Sequence, residues 1–360
     1  MPRLLLEKHK LNYHPDVLFK FLKGEIFAPI TVEISPVARC NQKCPHCYTA
    51  YVMKPEVSPA LIDDDLYFKV IKDCADFGVK ALSVCGAGEP LLHPKTPEAI
   101  SYAKKLGLDV ALVTNGVLAT RDRMKSCLGD LTWLRFSTAA GSPERYAELQ
   151  GSTEKAFHQM MDNLRDLVAI KKKNNLDTTI GVAYFLFEGS EKEILPFVSE
   201  LKNIGVDYVQ IKPCGDFEKD NYVYKKDAYR LVADELEKVA KLNSDDFFCQ
   251  IKYDSFRRLE EIEKTGFGLP AKCWGLLFFT TIGSDGKVYT CSGSWYEEKD
   301  SYGSLEKNTL KEIWESARFK EVFERRSITD KSLCFTQCHN IPMNAYLMEL
   351  KDTPAHINFI

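Results

Sequence analysis

The sequence predicts an α/β fold built from parallel strand–helix units and followed by a small cysteine-rich region. Three observations predict it. Short apolar, strand-like runs alternate with helical stretches from residue 29 to residue 212, the pattern of βαβ units around a parallel sheet. A chain of 360 residues that is 45% hydrophobic can bury a large core, and one large plus one small domain is its natural organisation. Seven of the twelve cysteines fall in two groups, at 40–47 and at 273–338.

The elements follow in order. Pro29–Ser35 alternates apolar and polar residues, as a strand does, and leads directly into the first cysteine group. Ile62–Phe77 has helical periodicity and precedes the short strand Ala81–Cys85. Pro97–Lys105 reads as helix and Asp109–Thr114 as strand; Leu131–Ser137 is the next strand and Ala156–Lys173 a long helix. Strand Thr178–Phe187, helix Glu191–Asn203 and strand Asp207–Lys212 complete six strands. Each segment of chemical character lies just after a strand, where parallel α/β folds bind ligands. Farther on, Asp285 and Gly286 between apolar runs signal a two-residue hairpin.

Composition excludes several functions. A formal net charge of −3 gives no electrostatic footprint for nucleic acid. No apolar run approaches the roughly 18 residues of a membrane span, and the first residues carry only a three-residue apolar stretch, too short for a signal-peptide core. The cysteines therefore point to metal binding in a reducing, cytoplasmic setting rather than to a disulfide framework.

Cys40, Cys44 and Cys47 have C-x3-C-x2-C spacing. Three thiolates in eight residues can hold three irons of a 4Fe–4S cluster and leave the fourth without a protein ligand. Structural iron–sulfur sites use four cysteines and structural zinc sites close with four ligands, so this set is built to bind something more. The spacing resembles that of the radical S-adenosylmethionine (SAM) superfamily. Cys85–Leu91, CysGlyAlaGlyGluProLeu, resembles that family's Gly-Gly-Glu-Pro motif, and Val113–Gly116 and Arg135–Ser137 follow in the family's order.

The resemblance implies a partial (β/α)6 barrel in which the open iron chelates the amino and carboxylate groups of SAM. Reductive cleavage of SAM then yields a 5′-deoxyadenosyl radical that abstracts hydrogen from a substrate. It further implies that Glu89 accepts the methionyl ammonium, that Asn115 and Ser137 contact the ribose and carboxylate, and that His46 lies against the adenine. Gly86 and Gly88 would let backbone approach the ligand, with Ala87 in place of the family's first Gly. Ala139 and Gln150 stand where many relatives carry Asp and Arg, and Arg145 is the local substitute.

Cys273, Cys291, Cys334 and Cys338 resemble the twitch domain, the short relative of the SPASM domain, and suffice for one closed 4Fe–4S cluster; a structural zinc site on the same cysteines is the other reading. The expected organisation is an extension at 1–28, barrel at 29–245, connector at 246–272, auxiliary-cluster domain at 273–340 and tail at 341–360. Cys74, Cys85, Cys127 and Cys249 read as small buried hydrophobes. Cys214, after the sixth strand, is a candidate hydrogen-atom donor at the cavity mouth.

The expected cofactors are SAM and two 4Fe–4S clusters, with a flavodoxin- or ferredoxin-type electron donor as partner. The 28 residues ahead of the first strand are too few for a peptide-recognition domain, which favours net oxidation of a small polar substrate such as a sugar, aminocyclitol or nucleotide sugar. A peptide maturase or epimerase, and a non-enzymatic iron–sulfur scaffold or sensor, are the alternatives.

Overall fold

A computed structural model describes residues 10–214, 227–256, 272–328, 338–352 and 355–356. Helix α1 (Pro15–Lys23) precedes β1 (Thr31–Ile34), α2 (Asp64–Phe77), β2 (Ala81–Val84), α3 (Thr96–Lys105) and β3 (Asp109–Thr114). Then come α4 (Arg121–Met124), β4 (Trp133–Thr138), α5 (Pro143–Leu149), α6 (Glu154–Lys173), β5 (Thr179–Leu186), α7 (Ile194–Ile204), β6 (Tyr208–Pro213), α8 (Asp227–Ala240) and β7 (Phe248–Ile251). The C-terminal part holds β8 (Phe279–Ile282), β9 (Lys287–Tyr289), β10 (Ser301–Ser304), α9 (Leu310–Glu315), α10 (Ala317–Ile328) and α11 (Asn340–Lys351).

The strands form one sheet in the order β10-β9-β8-β1-β2-β3-β4-β5-β6-β7. β1 to β7 pair in parallel, each with the next. The six expected strands are all present. The seventh, β7, lies inside the stretch expected to be a connector and pairs with β6. The second departure matters more: β8 returns to pair in parallel with β1, and β9 and β10 continue antiparallel from it. The cysteine-rich region is therefore an extension of the barrel sheet.

Alternation along each strand explains where the core sits. Val32, Ile34, Leu82, Val84, Leu134, Phe136 and Val209 are fully or almost fully buried against the helices. The residues between them, among them Glu33, Ser83, Arg135, Tyr208 and Lys212, face the concave interior of the sheet. Helix ends are set locally. Asp63 accepts from the backbone N–H groups of Asp65 and Leu66 to cap α2, and Gly78, at φ 101°, ends it. Thr309 and Glu312 form a reciprocal capping box on α9.

The β8–β9 turn spans residues 283–286, longer than the two-residue turn expected. Gly286 adopts φ 68°, and Asp285 accepts from the Lys287 N–H and the Tyr289 hydroxyl. The segment expected to be a tail begins with α11, which packs beside α1. Leu11, Val17, Phe21, Phe27, Phe278 and Leu347 form a separate cluster there, with Phe21 edge-on to Trp274 and Phe278 at 5.5 and 5.4 Å. The apolar stretch Pro354–Ile360, expected to dock, lies outside the described residues except for 355 and 356. Among the described residues no helix is long and apolar enough to cross a membrane.

Phe278 joins α1 and α11 to the sheet and is 1% exposed. Phe278→Ala is expected to cost about 3–5 kcal/mol of stability in denaturant unfolding. A loss below about 1 kcal/mol would show that this cluster does not anchor α1 and α11.

Candidate functional site

Cys40, Cys44 and Cys47 lie in the loop after β1, and two straps hold that loop. The first is Gly86–Glu89. The Glu89 N–H donates to the Arg39 carbonyl at 2.9 Å, and the Ser35 hydroxyl donates to the Val37 carbonyl while accepting from the Ala87 N–H. A Cβ on Gly88 would stand 2.2 Å from the Arg39 carbonyl oxygen, and one on Gly86, at φ 112°, 2.2 Å from Ser35 Cβ. At both glycines the space a side chain would need is taken by the chain just after β1, so their lack of a Cβ serves the packing of that loop. Ala87 fits because its methyl packs with Val52, Tyr289 and Trp295.

The second strap follows α5. The Lys43 N–H donates to the Gln150 carbonyl at 3.2 Å, Gly151 lies under Lys43, and the Cys44 thiol donates to Gln150 Oε1 at 3.2 Å. Gln42 Nε2 donates to the Tyr146 hydroxyl at 2.6 Å. Gln150, noted in the sequence only as a departure from the family pattern, touches a candidate ligand. Arg145 does not take over at the site. It donates to Glu193 at 3.2 Å and to the Glu188 carbonyl at 2.8 Å.

Burial, reinforced by neighbouring Glu89 and Cys47, pushes the Cys40 thiol up to about 11. Burial and the other thiols push Cys44 higher still. Three thiolates here need a compensating positive centre, and an iron–sulfur cluster supplies one as the protons leave. Among the described residues no three His, Cys, Asp or Glu side chains close on a single-ion site, and thiolates that each take a different iron of one cluster need not converge on one atom.

Glu89 is 2% exposed. One carboxylate oxygen accepts from the Leu91 N–H at 3.0 Å and the Thr114 hydroxyl at 2.8 Å, and the other from the Asn115 N–H at 2.8 Å. The residue thus ties the β2 loop to the end of β3. A carboxylate has about four acceptor positions, so one remains for a ligand. Burial raises its pKa, and a ligand cation would favour the ionised form. Asn115 donates to Asn41 Oδ1 at 2.7 Å and lies 3.8 Å from the Cys40 sulfur. Half-buried Ser137 is at the end of β4, where its carbonyl accepts from Gln150. The His46 ring packs on Phe187 at 4.7 Å, burial lowers its pKa to about 4, and its buried Nδ1 has no hydrogen-bond partner among the described residues. An orphaned nitrogen beside Cys47 fits a ligand-facing role.

The second cysteine group is partly described. Cys273 accepts from Asn344 Nδ2 at 3.2 Å, and Tyr302 neighbours both Cys273 and Cys291. Among the described residues the buried Tyr302 hydroxyl has no hydrogen-bond partner. Cys338 is half-buried just before α11, and Cys334 lies outside the described residues. These groups fit a cluster. Tyr51, in the turn after Cys47, neighbours Cys291, so the two cysteine groups adjoin one interior space.

That space is polar, which the sequence reading missed. Glu33 on β1 is bonded to the Cys85 thiol and senses Arg135 on β4. Lys212 on β6 senses Arg135 and Cys85. Strands this far apart in the sheet meet only across its concave interior. Burial raises Glu33 to about 7 and lowers Lys212 to about 7. Tyr48 neighbours Glu33, Cys85 and Cys47 and keeps 37% of its surface accessible, which connects this chamber to the cysteine loop. Cys85 opens on the chamber and is not the inert buried thiol expected; Cys74 and Cys127 are, at 0% exposure. Cys214 is near Cys44 and Lys212 but only 4% exposed, within the core. Period-two alternation was the signal available: Glu33, Arg135 and Lys212 are the charged inward positions of their strands.

The radical SAM superfamily model matches residues 34–192, and the iron–sulfur cluster-binding SPASM model matches residues 273–339. The chain is a radical SAM protein with a C-terminal SPASM domain. Radical SAM and SPASM domains imply SAM and iron–sulfur clusters as cofactors. The chain is similar to a probable GTP 3′,8-cyclase of Methanococcus maripaludis, 27% identical over 192 residues, which are 50% of this chain and 64% of that protein. It thus spans less than two thirds of that relative. It is also similar to an AdoMet-dependent heme synthase of Methanosarcina barkeri, 24% identical over 83% of this chain and 84% of that protein. In fold it matches Streptococcus suis SuiB bound to S-adenosylmethionine, with a TM-score of 0.64 and 15% identity over 97% of this chain and 82% of SuiB.

Glu89→Gln places an NH2 among three donors that all need acceptors. We expect a stability loss of roughly 1.5–3 kcal/mol together with weaker SAM binding, read by unfolding and by equilibrium dialysis. Weaker binding at unchanged stability would show that the carboxylate acts on the ligand alone.

Proposed function

We propose that Cys40, Cys44 and Cys47 hold the cluster that binds SAM and that the radical so generated oxidises a small polar substrate in the interior chamber. The observation that carries this reading is the continuity of the thiol loop, Tyr48 and the Glu33–Cys85 pair in one space. With cluster and SAM bound, the site supplies one-electron cleavage of SAM to a 5′-deoxyadenosyl radical that takes a hydrogen atom from substrate carbon.

The chain's own residues do the rest. Glu89 offers its remaining acceptor position to the methionyl ammonium, Asn115 and Ser137 line the ribose and carboxylate side, and His46 presents its unpartnered ring to the adenine. Gln150 and Gln42 fix the loop. Glu33, held near 7, is set to take the proton that leaves when an alcohol carbon becomes a carbonyl. The second electron leaves toward Cys273, Cys291, Cys334 and Cys338, proposed ligands of a second 4Fe–4S cluster, and a flavodoxin- or ferredoxin-type protein is the proposed source of the first. Cys85, open to the chamber, is better placed than buried Cys214 to return a hydrogen atom if the outcome is epimerisation.

The test is anaerobic reductive cleavage of SAM. The reconstituted protein should form 5′-deoxyadenosine with dithionite, and the Cys40, Cys44, Cys47→Ala triple variant should form none. Persistence of the product in that variant would overturn the reading. With a substrate in hand, reaction in deuterated water should give a carbonyl product with no deuterium on the carbon; deuterium there would establish hydrogen return instead.

A further inference from the structure

The interior chamber sets two cations, Arg135 and Lys212, against one acid, Glu33. Arg135 lies over the Trp133 ring at 5.1 Å and meets the Tyr208 hydroxyl. Tyr208 reaches it across β5 because Gly181 has no Cβ: one built there would stand 2.2 Å from the Tyr208 ring. Arg135 is therefore fixed on two sides, yet among the described residues its buried Nε has no hydrogen-bond partner. Lys212 stands opposite Phe185 in the β5–β6 register, with its ammonium 4.5 Å from that ring.

Among the described residues no carboxylate forms an ion pair with Arg135 or Lys212. The groups that Lys212 senses are Arg135, Cys85, Lys252 and Cys214. Glu33 is the acid sensed by Arg135's neighbourhood, and it binds the Cys85 thiol. Among the described residues two further inward polar atoms have no hydrogen-bond partner: Gln250 Nε2, beside Gln210, and Thr281 Oγ1, opposite Glu33 in the β1–β8 register. Buried donors without acceptors are costly, and a guanidinium with one ordered free N–H beside an ammonium is the arrangement that receives an oxyanion.

We propose that Arg135 and Lys212 form an anion subsite in the chamber and that the substrate carries a phosphate or carboxylate which docks there. Tyr208, Trp133 and Phe185 are positioning residues that hold the two cations. The proposal rests on the chamber being the substrate site, and it narrows the substrate from any small polar molecule to an acidic one. A phosphorylated nucleoside or sugar and a carboxylic acid share this chemistry; the test separates them.

Lys212 is the natural reporter, because an amine with a lowered pKa is acylated at neutral pH and an anion against it protonates and shields it. The reconstituted protein, with SAM present, is treated with acetic anhydride at pH 7 alone, with GTP, with inorganic phosphate or with citrate, and Lys212 acetylation is followed by peptide mass spectrometry. Protection of about tenfold or more by GTP or phosphate supports a phosphate-bearing substrate, and the same protection by citrate a carboxylate-bearing one. Calorimetric affinity for the protecting probe should fall about tenfold or more in Arg135→Gln and less in Tyr208→Phe. Protection by none of the three probes, or binding unchanged in Arg135→Gln, overturns the proposal. SAM cleavage by the unmodified protein with no substrate added is measured in parallel. Its absence would count against the radical reading and leave the anion result standing, whereas its presence without protection would count against the subsite alone.

Discussion

The pairing of β1 with both β2 and β8 is the constraint on which the site depends. Thr31–Ile34 stand in register with Ala81–Val84 on one side and Phe279–Ile282 on the other. The cysteine loop leaves the end of β1, the Gly86–Glu89 strap leaves the end of β2, and the hairpin leading to Cys291 starts from β8. The cysteine loop and the strap thus lie at one end of these strands, and Cys273, ahead of β8, and Cys291, after the returning β9, lie toward the other end. A one-residue slip of β8 would exchange Thr281 with Ile282 across the two faces. It would put an aliphatic side chain beside Glu33 and a hydroxyl in the helix-packed core.

Electrostatics then divides the interior into two regions that need ligands for different reasons. Around Cys40 and Cys44 the groups are acidic, and burial holds the thiols protonated until a cationic centre offsets their charge. Around Arg135 and Lys212 the excess is basic, and burial together with Arg135 drives Lys212 toward its neutral form. Tyr48 stands between the two, in reach of Cys47 on one side and of Glu33 and Cys85 on the other. Uncompensated charge in a low-dielectric interior is relieved by shifting a pKa or by binding a partner. Both devices are visible here.

Much of this was legible in the sequence, and the parts that were not share a cause. The six strands and the C-x3-C-x2-C loop were readable because they are local: alternation, short apolar runs and fixed spacing. The role of Gly88 was half readable. A glycine was needed, but its neighbour, the Arg39 carbonyl, is 49 residues away in sequence and appears only when β1 and β2 pair. β7 was read as connector, although at four residues it is no shorter than β1 and β2; what reveals it is its parallel pairing with β6. β8 was read as hairpin, but its parallel partner lies nearly 250 residues earlier. Gln150 looked like a loss of function because its contact with Cys44 is made by α5 folding back on the loop. Arg135 and Lys212 each sit at an inward position that alternation alone assigns. Their meeting across the chamber depends on sheet curvature, which no single strand records.

The central claim is that two cysteine groups on one sheet hold two distinct iron–sulfur clusters, of which only the first binds SAM. Iron analysis and electron paramagnetic resonance of the anaerobically reconstituted, dithionite-reduced chain test it most directly. About eight irons per chain and two signals are predicted, with added SAM altering only the signal that is lost when Cys40, Cys44 and Cys47 are replaced by Ala. About four irons with one equivalent of zinc, or a SAM-insensitive signal from the Cys40 loop, would contradict it.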